Sequence, residues 1–471
     1  MPESNPSDPP NGHSATPAVS SPTAYQPRYI DIGINLADPI FRGRYRGKVA
    51  HPDDLEGVVA RAVEVGCTKL IVTGSSMKSS RNALQLAKQF PGTVFTTAGI
   101  HPCSSSIFGL SHQKHHEESE EVEEPEDHTP ACGPDPTQPI QDGHGINHTR
   151  SEQIIKDLAD LIAQARTHTV TASPELVAFG EFGLDYDRLH FCSKEAQLHS
   201  FAAQLQLAAS ISPQLPLFLH SRAAHTDFVR LLKDAFGPRL ERLEKGGVVH
   251  SFTGTAEEMR ELMDLGLYIG INGCSFKTAE NCDVVREVDL PRLMIETDGP
   301  WCEVRPAHEG WKYLVEWEAK AKAAAEAEAE AAAAAAAQAE AEAAAAAAAI
   351  AALSVENTSA EITPADTPTP EGQGTPEAGG TGKRRRPRKS PNPQQQQQQA
   401  KKNQKKEPEV PDRFKVVKKE KWVEGAMVKG RNEPCTIERI ARIIAGIKGV
   451  SVEEVCEAAW ANTVKVFDVD S

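Results

Sequence analysis

The feature that most constrains the fold is a repeated alternation between short apolar segments and longer helix-like segments. Eight apolar segments are mostly rich in Val, Ile and Leu and are continuous, which is typical of parallel strands covered on both faces. They span residues 28–35, 68–73, 94–98, 176–180, 217–220, 247–250, 267–271 and 293–296. The helix-like segments span residues 52–65, 77–89, 154–166, 194–210, 223–235, 256–265, 282–288 and 436–447. Strict alternation of eight strands and eight helices predicts a (β/α)8 TIM barrel in the α/β class. An open doubly wound sheet of eight strands is the alternative.

Three segments of biased composition stand outside this alternation. Residues 1–28 are rich in Pro, Ser and Ala and predict a disordered tail. Residues 104–150 contain an acidic run with histidines nearby. Residues 304–429 contain an Ala/Glu block that favours a solvated helix, the basic cluster KRRRPRK at 383–389, and a glutamine run. The predicted barrel therefore extends over residues 29–467, with low-complexity insertions at 104–150 and 304–429. Both insertions enter βα loops, after the third and the eighth strand.

Cysteine usage and the lack of long apolar segments bear on the location of the protein. The nine cysteines are scattered singly without a CxxC pair, so neither a disulfide framework nor a cysteine zinc site is indicated. We find no signal-peptide core and no segment apolar enough to span a bilayer. These features predict an intracellular protein, cytoplasmic or nuclear, that does not act at membranes. The basic cluster at 383–389 is either a nuclear-import or DNA-tethering signal or simply solvated charge.

Polar side chains lie at the ends of most of the predicted strands, where the βα loops of a barrel begin. In chain order they are Asp31 and Asn35, His101, Glu181 and Asp185, His220 and Arg222, His250, and Asp298. Taken singly, such a histidine is more often structural, and such an aspartate is more often a turn former or a helix cap. Several imidazoles and carboxylates gathered at one mouth, however, are costly to bury without a cation. We therefore predict that Glu181, His220, His250 and Asp298 bind a metal ion.

A series of short motifs runs through the same strand ends. The strings are DIGIN, AGIHP, GEFGLDYDR, FLHSR, HSFTG, LYIGINGCSFK, IETDGPW and RNEPC, in this order. They resemble the motif series of the TatD-type deoxyribonucleases, and FRGRYRG at 41–47 and NTVKVF at 462–467 resemble the eukaryotic branch. The similarity covers residues 29–103, 150–310 and 412–467. The resemblance implies a barrel of the metal-dependent hydrolase superfamily and Mg²⁺-supported cleavage of DNA phosphodiesters.

The resemblance also implies the identity of the metal ligands. The four predicted ligands match the family's metal-binding Glu, two His and Asp. Many relatives begin with Asp-x-His-x-His on the first strand, whereas here Asp31 is followed by Gly33 and Asn35 at those places. Loss of two imidazoles favours oxygen and water ligands, and hence Mg²⁺ or Mn²⁺ over Zn²⁺. We expect one or two ions, with Asp31 as the candidate ligand of the second.

Each polar residue then has an expected role in hydrolysis by a metal-activated water. Glu181 is expected to hold or bridge metal, and Asp298 to bind metal and accept the proton of the attacking water. His101 is expected to contact the phosphate or to protonate the leaving oxygen. The candidates for substrate binding are Arg222, Asn35 and Arg431. A salt bridge across the barrel top is an equally good interpretation of Arg222, and a structural role at the start of the last helix is one for Arg431.

The leading hypothesis is a deoxyribonuclease whose substrate is DNA, with RNA as a further candidate substrate. Two other functions stay open beside it. Another hydrolase of the superfamily would act on a small ester or amide and prefer Zn²⁺. A non-catalytic interaction protein would bind partners through its insertions, but the intact Glu/His/His/Asp set counts against it. The formal net charge of −15 argues against a protein that coats nucleic acid. It does not argue against a nuclease, because a metal site can hold phosphate inside an acidic protein.

Overall fold

Eight parallel strands form the centre of the molecule, and they follow one another in chain order. The structure is a computed structural model that describes residues 25–110, 137–141, 143, 145–167, 174–355 and 409–469. The strands are β1 (Tyr29–Ile34), β2 (Cys67–Val72), β3 (Val94–Ala98), β4 (Leu176–Asp185), β5 (Leu217–Arg222), β6 (Gly247–Val249), β7 (Tyr268–Ile271) and β8 (Leu293–Ile295). All are buried over most of their length, as expected from their continuous apolar sequences.

The first and last strands meet just beyond their carboxyl ends. The N–H of Asn35 donates to the carbonyl of Gly299, and the N–H of Asp298 donates to the carbonyl of Gly33, each at 2.8 Å. These two bonds bring the ends of the sheet together into a nearly closed barrel. The predicted (β/α)8 fold is therefore confirmed, and the open doubly wound sheet is excluded.

Helices alternate with the strands as the sequence pattern predicts. They are α1 (Leu55–Glu64), α2 (Met77–Gln89), α3 (His148–Thr167), α4 (Lys194–Ser210), α5 (His225–Phe236), α6 (Ala256–Asp264), α7 (Ala279–Glu287), α8 (Trp311–Val355), α9 (Ile437–Lys448) and α10 (Val452–Phe467). Ser76 and Thr255 begin α2 and α6 with capping boxes, which satisfy free N–H groups at the helix start. None of the described helices is both long and apolar enough to cross a membrane.

Helix α10 is an addition to the predicted elements, and it covers the amino-terminal end of the barrel. A capping box between Ser451 and Glu454 starts the helix. Its side chains Trp460 and Phe467 join the apolar cluster formed by residues near the starts of the strands. The helix packs against β1 and β8, so it also covers the seam of the barrel.

The structure describes residues at the edges of the predicted tail and of both predicted insertions. Residues 1–24 of the predicted tail lie outside the described residues, whereas Tyr25 and Arg28 hydrogen bond with Glu457 of α10. The first insertion leaves the barrel near Gly109 and returns near Ile146, where an antiparallel bridge joins its ends. The chain divides into two compact units, one made of Met1–Leu314 and Arg413–Ser471 and the other of Val315–Asp412. Within that unit the Ala/Glu block is helical and its described side chains are exposed.

A buried ion-pair network links α1 to the segment before α9. Arg61 pairs with Asp54 at 2.9 Å and with Glu433 at 2.8 Å. Arg431 pairs with Glu433 at 2.8 Å and also contacts Asp54. All four side chains are at most 5% exposed. The guanidinium of Arg431, a predicted substrate contact, is thus engaged by carboxylates inside the protein.

Candidate metal centre

Glu181 and Asp185 both lie on β4, and both are buried. The strand runs unusually close to β5 because glycines occupy positions 180 and 183. A Cβ at either position would overlap a backbone carbonyl of β5, and both glycines have positive φ, +142° and +151°. The close pairing places His220 of β5 beside the two carboxylates.

Three donor atoms converge at the carboxyl end of the barrel. Nδ1 of His220 lies 3.2 Å from Oε1 of Glu181, and Nε2 of His250, directly after β6, lies 2.7 Å from the same oxygen. The two ring nitrogens are 3.2 Å apart. Ligands bound to one divalent ion at about 2.0–2.2 Å lie roughly 3 Å from one another. The spacing of the three atoms therefore fits a single metal ion.

The electrostatics of the group also fit a cation. Burial disfavours ionised Glu181, yet the positive charge of His250 beside it brings the pKa of Glu181 well below its usual range. Burial likewise disfavours a charged His250, but Glu181 and Glu296 bring the pKa of His250 well above its usual range. A protonated imidazole between two buried carboxylates thus supplies the positive charge that a divalent ion would supply in its place.

The far ring nitrogen of each histidine faces another buried carboxylate. Nε2 of His220 lies 3.1 Å from Oδ2 of Asp185, and Nδ1 of His250 lies 3.4 Å from Oε2 of Glu296. The His220–Asp185 contact is a hydrogen bond, whereas the His250–Glu296 contact is an ion pair without one. Carboxylates in this position help to fix the orientation of metal-binding histidines. Neither residue was assigned a role from the sequence, although Asp185 was among the polar side chains at the strand ends. Their presence in the motifs GEFGLDYDR and IETDGPW was the signal in the sequence.

We expect Glu296→Gln to weaken Mn²⁺ binding by about 10–100-fold, the usual effect of removing a carboxylate behind a metal-bound histidine. Titration calorimetry of the folded protein measures the affinity, and Glu457→Gln, which removes an exposed carboxylate from α10, is the matched control. Catalytic rate should recover at saturating Mn²⁺. An unchanged affinity together with a lower melting temperature would mean that Glu296 has only a structural role.

His101 borders this group with a defined tautomer. The N–H of Cys103 donates to Nδ1 of His101 at 3.1 Å, so the proton of the neutral ring is on Nε2. Burial lowers the pKa of His101 to about 3, which keeps the ring neutral. Nε2 lies 3.4 Å from Oε1 of Glu181. His101 therefore presents a hydrogen-bond donor, which disfavours a second possible donor set made of His101, Asp185 and His220.

Asp298 lies beside the three donor atoms and has a left-handed backbone, φ +51°. Nδ2 of Asn35 donates to its Oδ1 at 3.0 Å, and the thiol of Cys302 donates to its Oδ2 at 3.1 Å. Burial raises the pKa of Asp298, and the positive charge of His250 opposes that rise. Within the described residues, no group of donor atoms all within 4.8 Å of one another includes Asp298. The predicted substrate contact Asn35 thus orients this carboxylate.

Asp31 is not brought to the three donor atoms. Its Oδ2 accepts from the Thr297 hydroxyl at 2.5 Å, and its Oδ1 accepts from the N–H groups of Thr297 and Gly33 at 2.9 and 3.2 Å. Burial raises the pKa of Asp31 to about 8. These contacts tie β1 to the loop after β8.

Two arginines lie near the carboxylates. Arg222 lines a cavity of about 620 Å³ at the carboxyl ends of β5 and β6. The salt bridge considered for it is absent from the ion pairs of the described residues. Nε of Arg188 lies 3.6 Å from Oδ2 of Asp185, and the Arg188 side chain is 33% exposed. It was not predicted, although the motif GEFGLDYDR contains it.

Comparison with known proteins identifies the family to which this chain belongs. The sequence profile of the family described as "TatD related DNase" matches residues 30–357. The chain belongs to the TatD family. Among TatD relatives, the Deoxyribonuclease Tat-D of Schizosaccharomyces pombe is 33% identical over 441 residues, which are 93% of this chain and 96% of the relative. The Deoxyribonuclease Tat-D of Saccharomyces cerevisiae is 29% identical over an alignment of 485 residues, which covers 93% of this chain and 91% of the relative.

Solved structures show the same TatD fold. An uncharacterized amidohydrolase from Saccharomyces cerevisiae superposes with a TM-score of 0.61 at 27% identity, covering 94% of this chain and 100% of that chain. A TatD family hydrolase from Entamoeba histolytica superposes with a TM-score of 0.58 at 23% identity and supports the fold alone. The resemblance inferred from the motifs is therefore confirmed at the level of the TatD family.

Proposed function

We propose that this protein is a divalent-metal-dependent nuclease that hydrolyses phosphodiester bonds of DNA. The observation that carries the proposal is the convergence of Glu181, His220 and His250, with donor atoms within 3.2 Å of one another. Two similar proteins are named Deoxyribonuclease Tat-D. The "3'-5' ssDNA/RNA exonuclease TatD" of Pantoea sp. is 33% identical over 281 residues, 59% of this chain and 82% of that protein.

Glu181, His220 and His250 would hold the ion, and Asp298 would complete the site from the neighbouring loop. Mg²⁺ is the proposed ion, with Mn²⁺ as a substitute, because the first strand offers no histidine. When bound, a divalent ion lowers the pKa of water and offsets the charge that develops on the phosphoryl oxygens. Asp185 and Glu296 keep the two imidazole rings in place for this purpose.

The remaining residues of the site accept the proton of the attacking water or contact the phosphate of the substrate. Asp298 accepts the proton of the attacking water, with its carboxylate oriented by Asn35. His101 donates its Nε2–H to a phosphoryl or leaving oxygen, since its Nδ1 is occupied by a backbone N–H. Arg222 and Arg188 supply positive charge at the mouth of the barrel for the backbone of the substrate.

The proposed function is tested with purified full-length protein and end-labelled single-stranded DNA, double-stranded DNA and RNA of the same sequence. We expect cleavage with Mg²⁺ or Mn²⁺ and none with EDTA. The product ladder then distinguishes exonuclease from endonuclease cleavage. Intact nucleic acid after incubation with folded, metal-loaded protein would contradict the proposal. Hydrolysis of a small ester or amide with Zn²⁺ in the same samples would then favour another hydrolase of the superfamily.

A further inference from the structure

Two cysteines meet beside Asp298. Sγ of Cys274 lies 2.9 Å from Sγ of Cys302, and Sγ of Cys302 lies 3.1 Å from Oδ2 of Asp298. Cys274 follows β7 and Cys302 follows β8, so the pair joins two neighbouring loops at the carboxyl end of the barrel. Neither sulfur takes part directly in the hydrolysis proposed above.

The backbone keeps the two sulfurs together. A Cβ at Gly273 would overlap the carbonyl oxygen of Cys302, so the loops touch at this point. A disulfide places its sulfurs about 2.05 Å apart, and the two thiols therefore need to approach by less than about 1 Å. Cys274 is 8% exposed, whereas Cys302 is only partly buried. A small reagent can thus reach Cys302 first, with Cys274 already next to it.

We propose that Cys274 and Cys302 form a reversible disulfide that weakens the metal centre. The disulfide depends only on the geometry of the loops, whereas its effect on cleavage rests on the proposed nuclease function. In the reduced protein, the Cys302 thiol donates to Oδ2 of Asp298 while Asn35 donates to Oδ1. A disulfide has no hydrogen to donate. Oxidation therefore removes one of these two donors and leaves the Asp298 carboxylate less well oriented.

A low-molecular-weight disulfide such as oxidised glutathione supplies the oxidising equivalents. Cys302 loses its proton as its sulfur attacks one sulfur of the reagent, the reagent S–S bond breaks, and one reagent thiolate leaves. Cys274 then attacks Sγ of Cys302 in the mixed disulfide and releases the second reagent thiol. The two protein thiols are oxidised, the reagent is reduced to two thiols, and the two protons pass to the leaving thiolates.

The disulfide is tested first, without any measurement of activity. Full-length protein is reduced, freed of metal, oxidised with oxidised glutathione and digested with trypsin. We expect a cross-link between the peptides 261–277 and 293–312, each of which contains a single cysteine, and its loss after dithiothreitol. In Cys274→Ser, the mixed disulfide should accumulate on Cys302 instead. Modification of Cys103, the other partly exposed cysteine of the described residues, without this cross-link would overturn the proposal.

The effect on the site is measured as Mn²⁺ affinity and as the rate of DNA cleavage, each relative to the reduced form of the same variant. We expect oxidised wild type to lose about tenfold in both and to recover with dithiothreitol, since a hydrogen bond to a charged group is lost. Cys302→Ser should not respond to the oxidant, whereas Cys103→Ser should respond like wild type. Cross-linked protein with unchanged affinity and unchanged rate would overturn the proposal. If the protein cleaves no nucleic acid, the effect of the disulfide is still measured as a change in Mn²⁺ affinity. Failure of the nuclease proposal can therefore be distinguished from failure of the disulfide proposal.

Discussion

Replacing Glu181 by glutamine should lower the rate of metal-dependent DNA cleavage by about a thousandfold, the equivalent of about 4 kcal/mol in the transition state. Oε1 of Glu181 is the atom at which His220 and His250 meet, at 3.2 and 2.7 Å. Glutamine has the same shape but no charge, so a cation would face two imidazoles without the carboxylate between them. Both metal binding and cleavage should therefore be lost together.

The measurement compares single-turnover cleavage of end-labelled DNA with Mn²⁺ titration calorimetry on the same preparations. Glu457→Gln makes the same chemical change on the surface of α10 and should behave like wild type. Circular dichroism establishes that each variant is folded. Metal-dependent cleavage that survives in Glu181→Gln would place the catalytic metal elsewhere. Lost cleavage with unchanged Mn²⁺ affinity would give Glu181 a role other than metal binding.

The sequence predicted the parts of the molecule that are encoded locally. A parallel strand buried on both faces needs a short continuous apolar run, so the barrel strands could be read directly. Because their carboxyl ends meet at one mouth, Glu181, His220 and His250 could be grouped before any distance was known. Helix α10 was equally accessible, since Ser451 and Glu454 have the spacing of a capping box ahead of apolar residues.

The sequence could not show the contacts of side chains whose partners are far away along the chain. Asn35 is bonded to Asp298 and Asp31 to Thr297, 263 and 266 residues further along the chain. Strand-end position alone does not tell whether such a side chain faces the substrate or stabilises the barrel seam. Glu296 was overlooked for a related reason. Glu296 directly follows β8, a position that a metal ligand could also occupy. Its carboxylate, however, contacts His250 rather than the three donor atoms.

Arg431 gives the largest expected change in stability. Replacing it by methionine should lower the free energy of unfolding by about 3–5 kcal/mol, because removing one member of a buried ion-pair network leaves charge without compensation. Asp54 and Glu433 would then share the single guanidinium of Arg61, in a region where these side chains are at most 5% exposed. Unfolding in urea, followed by tryptophan fluorescence, measures the change.

Arg42→Met is the matched control, because it removes a guanidinium whose pair with Asp53 is 43% and 51% exposed. A surface pair of this kind contributes at most about 1 kcal/mol. Adding Asp54→Asn to Arg431→Met should cost less than the sum of the two single changes, since both belong to one network. The cleavage rate of the folded Arg431→Met protein should stay close to that of wild type. Weaker DNA binding with unchanged stability would instead restore the substrate-binding role that the position of Arg431 in the sequence suggested.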